Sequence, residues 1–302
     1  MATSKESDGL YIDFAVLSFC YTKNYRFNGD EEFMIPKVIH YCWFGGNPLP
    51  ELAKICIDSW KKYLPDYEIK EWNETNFDLD SCEYIREAYN CKKWAFVSDY
   101  ARFWILYNYG GLYFDTDVEI LNPLDDIIKC GSFMGFENMG NTELEVAPGL
   151  GLGANPGLGL YREILDMYEG SHFINEDGTL NLLTVVDRTT NILKKHGLKN
   201  ENEKQTIEGV TIYPFDYFCP IDCATGKKTI TSNTRSIHWY MDSWGSVGKA
   251  EIIERLRSFE KHGVIVGKIG KLIILPKRIQ NRIKNNGFGK TIKYCLNKIT
   301  KV

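Results

Sequence analysis

The beginning of the clearly patterned part of the chain alternates strand, helix and strand. Residues 37–44 (KVIHYCWF) are rich in β-formers and run into two glycines, which predicts a buried strand that ends in a tight turn. Pro50 then opens an amphipathic helix, and residues 67–72 have the alternation of a second strand. Two strands joined by a crossover helix favour a parallel sheet covered by helices, so we predict an α/β fold.

More elements of the same kind follow. Residues 94–109 carry apolar side chains at helical spacing and end at two glycines, which predicts a helix. The remaining predictions are strands at 112–114, 118–121 and 132–136, and a helix at 160–168. Residues 147–159 are rich in glycine and hold two prolines, as expected of a mobile loop or of a backbone that approaches a ligand closely.

The composition excludes several classes of protein. The 302 residues are 44% hydrophobic and 25% charged, which is ordinary for a globular chain, and no apolar run is long enough to span a bilayer. Aromatic residues reach 14%, as is common where sugar rings or bases are stacked. The nine cysteines are scattered, which favours reduced thiols in a cytosolic protein over a metal site at Cys219 and Cys223.

The net charge of −4 is unevenly distributed. Residues 261–301 carry 11 basic and no acidic side chains, and the rest of the chain carries 25 basic and 40 acidic ones. Phe288, Ile292, Leu296 and Ile299 form an apolar stripe in this basic segment. A basic amphipathic helix is typical of a segment that lies on an anionic membrane surface. The alternative is a helix docked on the acidic body, and we expect no nucleic-acid partner.

These observations predict three parts of the chain. Residues 1–33 form an N-terminal appendage of unknown order, because the strong pattern begins at Met34. Residues 34–248 form the main α/β domain, and residues 249–302 form the basic helical tail.

The sequence Asp115-Thr116-Asp117 follows a predicted strand. Side chains at positions i and i+2 of an extended backbone point to the same side, so both carboxylates can reach one ion. Two carboxylates with open positions suit Mg²⁺ or Mn²⁺ that also binds phosphate oxygens. The alternative is a solvated acidic turn.

A second polar pair lies one helix upstream. Asp99 and Arg102 are separated by three residues and share a helix face that is not the apolar stripe. The pair is either an ordinary surface ion pair or a polar pair at a pocket rim, aimed at sugar hydroxyls.

Three blocks of the sequence resemble a known family. KVIHYCWFGG, VSDYARFWILYNYGGLYFDTDVEIL and IHWYMDSWGS are similar to glycosyltransferase family 32, which includes bacterial capsular and exopolysaccharide transferases and fungal initiating mannosyltransferases. The resemblance covers residues 35–248 and extends more distantly to the glucosyltransferase domain of large clostridial cytotoxins.

The resemblance implies a GT-A fold, with a nucleotide-binding sheet flanked by helices. It also implies a metal-dependent retaining transfer of a hexose from a UDP- or GDP-sugar to a glycan or lipid-linked acceptor. The cofactor would be Mn²⁺ or Mg²⁺. Such an enzyme would work in polysaccharide or capsule biosynthesis, in the cytoplasm at the inner membrane face.

The resemblance also implies individual roles. The catalytic residues would be Asp115, Asp117, Asp99 and Arg102. Asp117 would bind the metal directly, Asp115 would contact sugar and ribose and complete the metal site, and His238 would be a metal or phosphate ligand. The donor-binding residues would be Trp43 (stacked on the base), Ser98, Asp99, Arg102, Tyr113, Asp115 and Trp244 (near the diphosphate).

Two other functions remain open. FDTDVEIL also fits the phosphohydrolase pattern of the haloacid dehalogenase group, with Asp115 as the nucleophile. That pattern normally opens its fold, whereas here a complete β-α-β unit precedes it. The other alternative is a catalytically silent sugar-binding protein, against which the intact carboxylates and Arg102 argue.

Overall fold

The computed structural model describes residues 35–140, 143–222 and 227–240. The predicted appendage at 1–33, the basic tail at 249–302, Cys223 and Trp244 lie outside the described residues, as do both predicted domain boundaries. Among the described helices, none is both long enough and apolar enough to cross a membrane.

Helices and strands alternate along most of the described chain. The helices are α1 (Glu51–Tyr63), α2 (Glu83–Asn90), α3 (Trp94–Tyr109), α4 (Asp125–Ile128), α5 (Gly159–Glu169), α6 (Val185–Lys195) and α7 (Phe215–Phe218). The strands are β1 (Val38–Cys42), β2 (Glu68–Trp72), β3 (Gly111–Tyr113), β4 (Val118–Ile120), β5 (Phe133–Glu137), β6 (Glu145–Val146), β7 (Leu152–Ala154), β8 (Gln205–Ile207), β9 (Val210–Tyr213) and β10 (Ser236–His238).

The main sheet has the strand order β2-β1-β3-β7-β5-β9-β8, and β6 pairs with β5 beside it. Strand β1 is parallel to both neighbours, with Ile39 opposite Ile69 on one side and Leu112 on the other. Strand β7 is antiparallel to β3 and β5, and β9 is parallel to β5. The parallel β-α-β start is as predicted, whereas the rest of the sheet is mixed.

A small second sheet pairs β10 with β4 in antiparallel orientation. His238 lies opposite Val118, so the end of the described chain returns to the strand that follows Asp115 and Asp117. Trp60 of α1 donates its indole N–H to the carbonyl of Val118 at 2.7 Å and ties the small sheet to the first helix.

The helix α3 is the central helix of the described domain. It is buried on more than its apolar stripe, because Ser98, Asp99 and Arg102 are buried together with Val97 and Ile105. Of the two predicted alternatives for Asp99 and Arg102, an exposed surface ion pair is therefore excluded.

Two glycines form the transition from the helix α3 to the strand β3. Gly110 and Gly111 have φ angles of +64° and +100°, which side chains with a Cβ rarely adopt. A Cβ at Gly111 would also lie 2.6 Å from the carbonyl oxygen of Val38, because β1 passes directly beside it. The glycine pair therefore fixes where the chain after α3 enters the sheet.

The predicted fold class is confirmed as α/β with a central sheet flanked by helices. The helix α3 has the predicted bounds, and the predicted strands shift by one or two residues. The elements that were not predicted from the sequence are the helices α2, α4, α6 and α7 and the strands β6, β7, β8, β9 and β10. The expectation of a mobile loop at residues 147–159 was wrong for β7, which lies within this segment and pairs with β3 and β5 in the main sheet.

Candidate functional site

A pocket of about 310 Å³ gathers most of the predicted site residues. Its walls come from α3, the turn between β3 and β4, the end of β5, the glycine-rich segment, the start of α6 and β10. Its polar lining residues include Ser98, Asp99, Arg102, Asp115, Thr116, Asp117, Glu137 and His238.

One side of the pocket combines two carboxylates with an imidazole. His238 Nε2 lies 3.0 Å from Asp117 Oδ1 and 3.9 Å from Asp115 Oδ2, so the imidazole stands between them. The Asp117 side chain is 9% exposed and the Asp115 side chain 28% exposed, so Asp115 is the more open of the two. Carboxylate oxygens and a neutral imidazole are a donor set that suits Mn²⁺, and the carboxylates alone suit Mg²⁺.

The pairing of β10 with β4 explains why His238 reaches this place. The backbone N–H of Trp239 donates to the carbonyl of Asp117 at 3.0 Å, which continues the ladder past the paired strands. The ladder thus holds residues 236–239 against β4 and Asp117, although they are more than a hundred residues apart in the sequence.

The other side of the pocket is a buried arginine between two carboxylates. Arg102 Nη2 donates to Asp99 Oδ1 at 3.0 Å and lies 3.4 Å from Asp115 Oδ1, and its side chain is only 5% exposed. Its Nε donates to the carbonyl of Ser98 at 3.1 Å. A guanidinium at this depth needs partners on several sides, so Arg102 holds Asp99 and Asp115 in fixed positions.

Burial shifts the protonation of this pair. The net effect of the surroundings raises the pKa of Asp99 to about 6. Desolvation is the largest cause, and Arg102 opposes it, whereas the charge of Asp115 adds to it. Burial acts to lower the pKa of Arg102, but Asp115, Tyr113 and Asp99 outweigh it and raise that pKa, so the guanidinium stays charged.

The glycine-rich segment packs against Asp115. A Cβ on Gly149 would lie 2.1 Å from Asp115 Oδ2, and the carbonyl of Gly149 accepts the N–H of Asp115 at 3.3 Å. The close approach that the glycines predicted is therefore made, in this structure, to a carboxylate of the site itself. Ala147, Gly149 and Leu150 also line the pocket.

Tyr113 and Trp43 do not line this pocket within the described residues. Tyr113 is buried behind Asp115, to whose Oδ1 it donates its hydroxyl at 3.1 Å, and its ring lies 5.1 Å from the guanidinium of Arg102. Trp43 is 6% exposed in an apolar cluster, and its indole N–H donates to the carbonyl of Asn47. This burial favours a packing role for Trp43, and its stacking on a base stays a prediction.

Glu137 is a pocket residue that sequence reasoning missed. It ends β5, is 9% exposed, and lies near the hydroxyl of Tyr240 at 3.4 Å. The signal for it was weak, because a single acid after a predicted strand has many ordinary explanations. The start of α6 at Val185 and Val186 was missed too, since no element had been assigned there.

A second cluster of potential metal ligands lies apart from this pocket on Glu83, Glu87 and His172. The carboxylate of Glu87 already accepts the backbone N–H groups of Phe173 and Ile174, at 2.7 and 2.9 Å, and lies 3.0 Å from His172 Nδ1. These contacts indicate a structural role for Glu87, which holds the segment after α5 against α2.

Residues 50–134 match the family described as "Glycosyltransferase sugar-binding region containing DXD motif". This range includes Asp99, Arg102, Asp115 and Asp117, and His238 lies beyond it. The glycosyltransferase resemblance inferred from the sequence is thereby confirmed over residues 50–134, and the blocks at residues 37–46 and 237–246 lie outside the matched range.

Two curated relatives are proteins of Schizosaccharomyces pombe. Inositol phosphoceramide mannosyltransferase 3 is 32% identical over 117 residues, covering 35% of this chain and 30% of the relative. Inositol phosphoceramide mannosyltransferase 1 is 29% identical over 111 residues, covering 33% of each chain. The chain thus spans about a third of the length of these relatives.

Two solved structures share part of the arrangement. The PaToxG glycosyltransferase has a TM-score of 0.44 and 18% identity, over 54% of this chain and 70% of that one. A glycosyltransferase involved in the glycosylation of the major capsid of PBCV-1 has a TM-score of 0.40 and 10% identity, over 72% of this chain and 100% of that one. Likenesses this low carry no argument about function.

Proposed function

We propose that this protein is a metal-dependent glycosyltransferase that moves a hexose from a nucleotide sugar to a hydroxyl group of an acceptor. The DXD region at residues 50–134 supports glycosyl transfer. The observation that carries the rest is one pocket with Asp115, Asp117 and His238 on one side and the buried Asp99–Arg102 pair on the other.

The side formed by Asp115, Asp117 and His238 is the place for a divalent cation. In this structure His238 Nε2 lies close to both carboxylates, so the donor set fits Mn²⁺ or Mg²⁺. When bound, such an ion neutralises the charge that develops on the leaving diphosphate. The protein residues hold the two carboxylates in place through Arg102, Tyr113 and the ladder beside His238.

The buried pair binds the donor sugar in this account. Ionised Asp99 accepts hydrogen bonds from sugar hydroxyls, and Arg102 keeps the carboxylate ionised and oriented. Because both side chains are almost fully buried, a bound sugar excludes water from the pocket and strengthens these interactions. The carboxylates of Asp99 and Glu137 also favour the positive charge that develops on the sugar ring as the bond to phosphate breaks.

The stereochemical course that we propose is retention at the donor carbon. The acceptor hydroxyl attacks from the face that the diphosphate leaves, the bond from sugar carbon to phosphate oxygen breaks, and the phosphate oxygen takes the proton of the acceptor. This part of the proposal comes from the family 32 resemblance.

The substrates belong to the same proposal. Both curated relatives are named inositol phosphoceramide mannosyltransferases, so mannose is the first sugar to test and a lipid-linked molecule the first acceptor. The basic residues 261–301 would then hold the enzyme against an anionic membrane surface, where such an acceptor lies.

Donor hydrolysis tests the proposed function without knowledge of the acceptor. The full chain is incubated with GDP-mannose, UDP-glucose and UDP-galactose, with Mn²⁺ or with excess chelator, and free nucleoside diphosphate is measured. We expect release from one donor class with Mn²⁺ and none with chelator. The variant Asp125→Asn, an exposed acid on α4, is the control and should behave like the wild type.

Two outcomes would contradict this proposal. Hydrolysis of p-nitrophenyl phosphate without release from any nucleotide sugar would indicate the phosphohydrolase alternative. Binding of a nucleotide sugar without turnover would indicate a silent sugar-binding protein.

A further inference from the structure

Tyr240 lines the pocket where three parts of the fold meet: the end of β10, the end of β5 and the residue after α7. The centroid of its ring lies 4.1 Å from that of His238, and the two rings are inclined at 73°. Its hydroxyl donates to Glu137 Oε2 at 3.4 Å and lies 3.0 Å from Cys219 Sγ. One side chain thus contacts both the imidazole beside Asp117 and the carboxylate of Glu137.

The backbone of Tyr240 has a conformation that an aromatic residue rarely adopts. Its φ angle is +50°, in the left-handed region that favours glycine. Within the described ranges, the other non-glycine residues with a positive φ are Lys92 and Glu208, and both lie in exposed turns. Tyr240 is instead half-buried in the pocket wall. Such strain persists where the surroundings fix the residue, and it is concentrated at functional sites.

The surroundings of Tyr240 are fixed on two sides. The preceding residue, Trp239, is 7% exposed and donates its indole N–H to Glu119 Oε2 of β4 at 2.9 Å. On the other side, the backbone N–H of Asn138 donates to Cys219 Sγ at 3.2 Å, so the end of β5 contacts the same sulfur as the tyrosine hydroxyl. The contacts of Tyr240 therefore join the small sheet to the end of β5.

We propose that Tyr240 is a positioning residue that couples the cation side of the pocket to Glu137. Its ring restricts the imidazole of His238, whose Nε2 lies 3.0 Å from Asp117 Oδ1. Its hydroxyl holds the carboxylate of Glu137 in the pocket wall. The inference rests on the proposed function, because it concerns the orientation of one group that faces the cation and one that faces the sugar.

Two substitutions separate the ring from the hydroxyl. Tyr240→Phe keeps the ring and removes the hydroxyl, whereas Tyr240→Leu removes both. Tyr109→Phe and Tyr109→Leu are the matched controls, because Tyr109 is 44% exposed and is not among the described residues that line the pocket. Melting of all four variants is compared with that of the wild type, and Tyr240→Phe should melt close to it.

The first measurement is a titration with Mn²⁺ alone, followed by electron paramagnetic resonance in the absence of nucleotide. Tyr240→Leu should bind Mn²⁺ about tenfold more weakly than the wild type, as for other losses of a group that orients a metal ligand. Tyr240→Phe and both Tyr109 variants should bind like the wild type. In a His238→Gln background, Tyr240→Leu should cause no further loss, because the ring acts through the imidazole.

The second measurement is the release of nucleoside diphosphate from GDP-mannose, UDP-glucose and UDP-galactose at saturating Mn²⁺. Tyr240→Phe should lower kcat by about three- to tenfold and leave the KM of the donor unchanged, because the lost hydrogen bond orients a carboxylate that acts as the sugar bond breaks. In a Glu137→Gln background, Tyr240→Phe should have no further effect. Tyr109→Phe should turn over like the wild type.

The two measurements distinguish this inference from the proposed function. If the wild type binds Mn²⁺ but releases no nucleoside diphosphate, the proposed function fails and the Mn²⁺ titration still decides the role of Tyr240. A wild type that binds no Mn²⁺ overturns both.

Wild-type Mn²⁺ affinity in Tyr240→Leu overturns the inference, and so does wild-type turnover in Tyr240→Phe. It is also overturned if both Tyr240 variants unfold while the Tyr109 variants fold, because Tyr240 would then be structural. If only Tyr240→Leu unfolds, the turnover of Tyr240→Phe decides.

Discussion

At the scale of single residues, His40 is a buried polar group with a structural role, whereas the buried Asp99 and Arg102 line the pocket. His40 is 2% exposed and is fully engaged: Trp72 donates its indole N–H to Nδ1 at 3.0 Å, and Nε2 lies 3.0 Å from the carbonyl of Gly110. Since Nδ1 accepts, Nε2 carries the proton and donates, and the ring is neutral. This histidine joins β1, β2 and the end of α3, and no part of the pocket chemistry depends on it.

The neutral state of His40 predicts acid sensitivity. Burial lowers the pKa of His40 to about 4, below its usual value of 6.5, so the unfolded chain binds a proton that the folded chain does not. The stabilisation is present above pH 6.5 and is lost as the pH falls towards 4, by about 3 kcal/mol in all. Urea unfolding of the wild type and His40→Gln between pH 7.5 and 4 checks this slope.

The variant should lose most of that pH dependence, although it is less stable at neutral pH. Replacement of the exposed His196 by Gln is the control and should keep the acid-side loss. An unchanged slope in His40→Gln would show that another group sets the acid limit.

For Trp43, the sequence resemblance and the structure favour different roles: the resemblance implies stacking on a base, whereas the structure shows a side chain buried in an apolar cluster. Its burial in an apolar cluster predicts that Trp43→Ala lowers the free energy of unfolding by about 3 to 5 kcal/mol. Trp43→Phe, which keeps much of the packing, should lose far less. Base stacking would instead leave stability intact and weaken nucleotide binding by about 1 to 3 kcal/mol. Chemical denaturation together with nucleotide titration distinguishes the two roles.

At the scale of elements, the sequence predicted helices and strands that have strong local patterns, but it did not predict strands that form only by pairing with a distant segment. The helix α3 follows from its apolar spacing and its closing glycines, and the place of Asp115 and Asp117 follows from the strand before them. The strand β10 has three residues and no strong pattern of its own, and it forms because β4 offers a partner. Only that long-range pairing decides that His238 reaches Asp117.

The glycine-rich segment gives a prediction for one element. In Gly149→Ala the new methyl group collides with the Asp115 carboxylate, so either the loop or Asp115 must move. We expect the Mn²⁺-dependent release of nucleoside diphosphate to fall by about tenfold or more, as for other losses of positioning.

Gly159→Ala in the same segment is the matched control. Its Cβ would meet nothing within 4 Å, and it lies at the start of α5. This variant should keep its activity and gain up to about 1 kcal/mol in stability. Equal activity in the two variants would contradict the close approach of Gly149 to Asp115.

At the scale of the whole molecule, the sequence predicted the layers but not the full sheet. The β-α-β start dictates the parallel part, whereas β5, β7 and β9 are joined by long connections whose pairing has no local signal. In the site, too, the residues with local sequence signals were predicted and those placed by tertiary packing were not. Its carboxylates were predictable from short motifs, whereas Glu137 and the start of α6 enter the pocket only through tertiary packing.

The basic residues 261–301 lie outside the described residues, and their membrane role remains a prediction. The full chain should sediment with vesicles that contain phosphatidylglycerol, and added salt should weaken this binding. A chain that ends at Lys261 should stay in the supernatant and keep its donor hydrolysis. Equal sedimentation with neutral vesicles, or loss of folding on truncation, would favour a helix docked on the body.

The central claim is that Asp117, with Asp115 and His238, holds a divalent cation in the pocket that binds the donor. Titration of Mn²⁺ followed by electron paramagnetic resonance, with GDP or UDP present, tests it most directly, because bound Mn²⁺ loses its free-ion signal. The account predicts a single site in the wild type and in Asp125→Asn, and an affinity reduced by about tenfold or more in Asp117→Asn. Unchanged Mn²⁺ affinity in Asp117→Asn would contradict it.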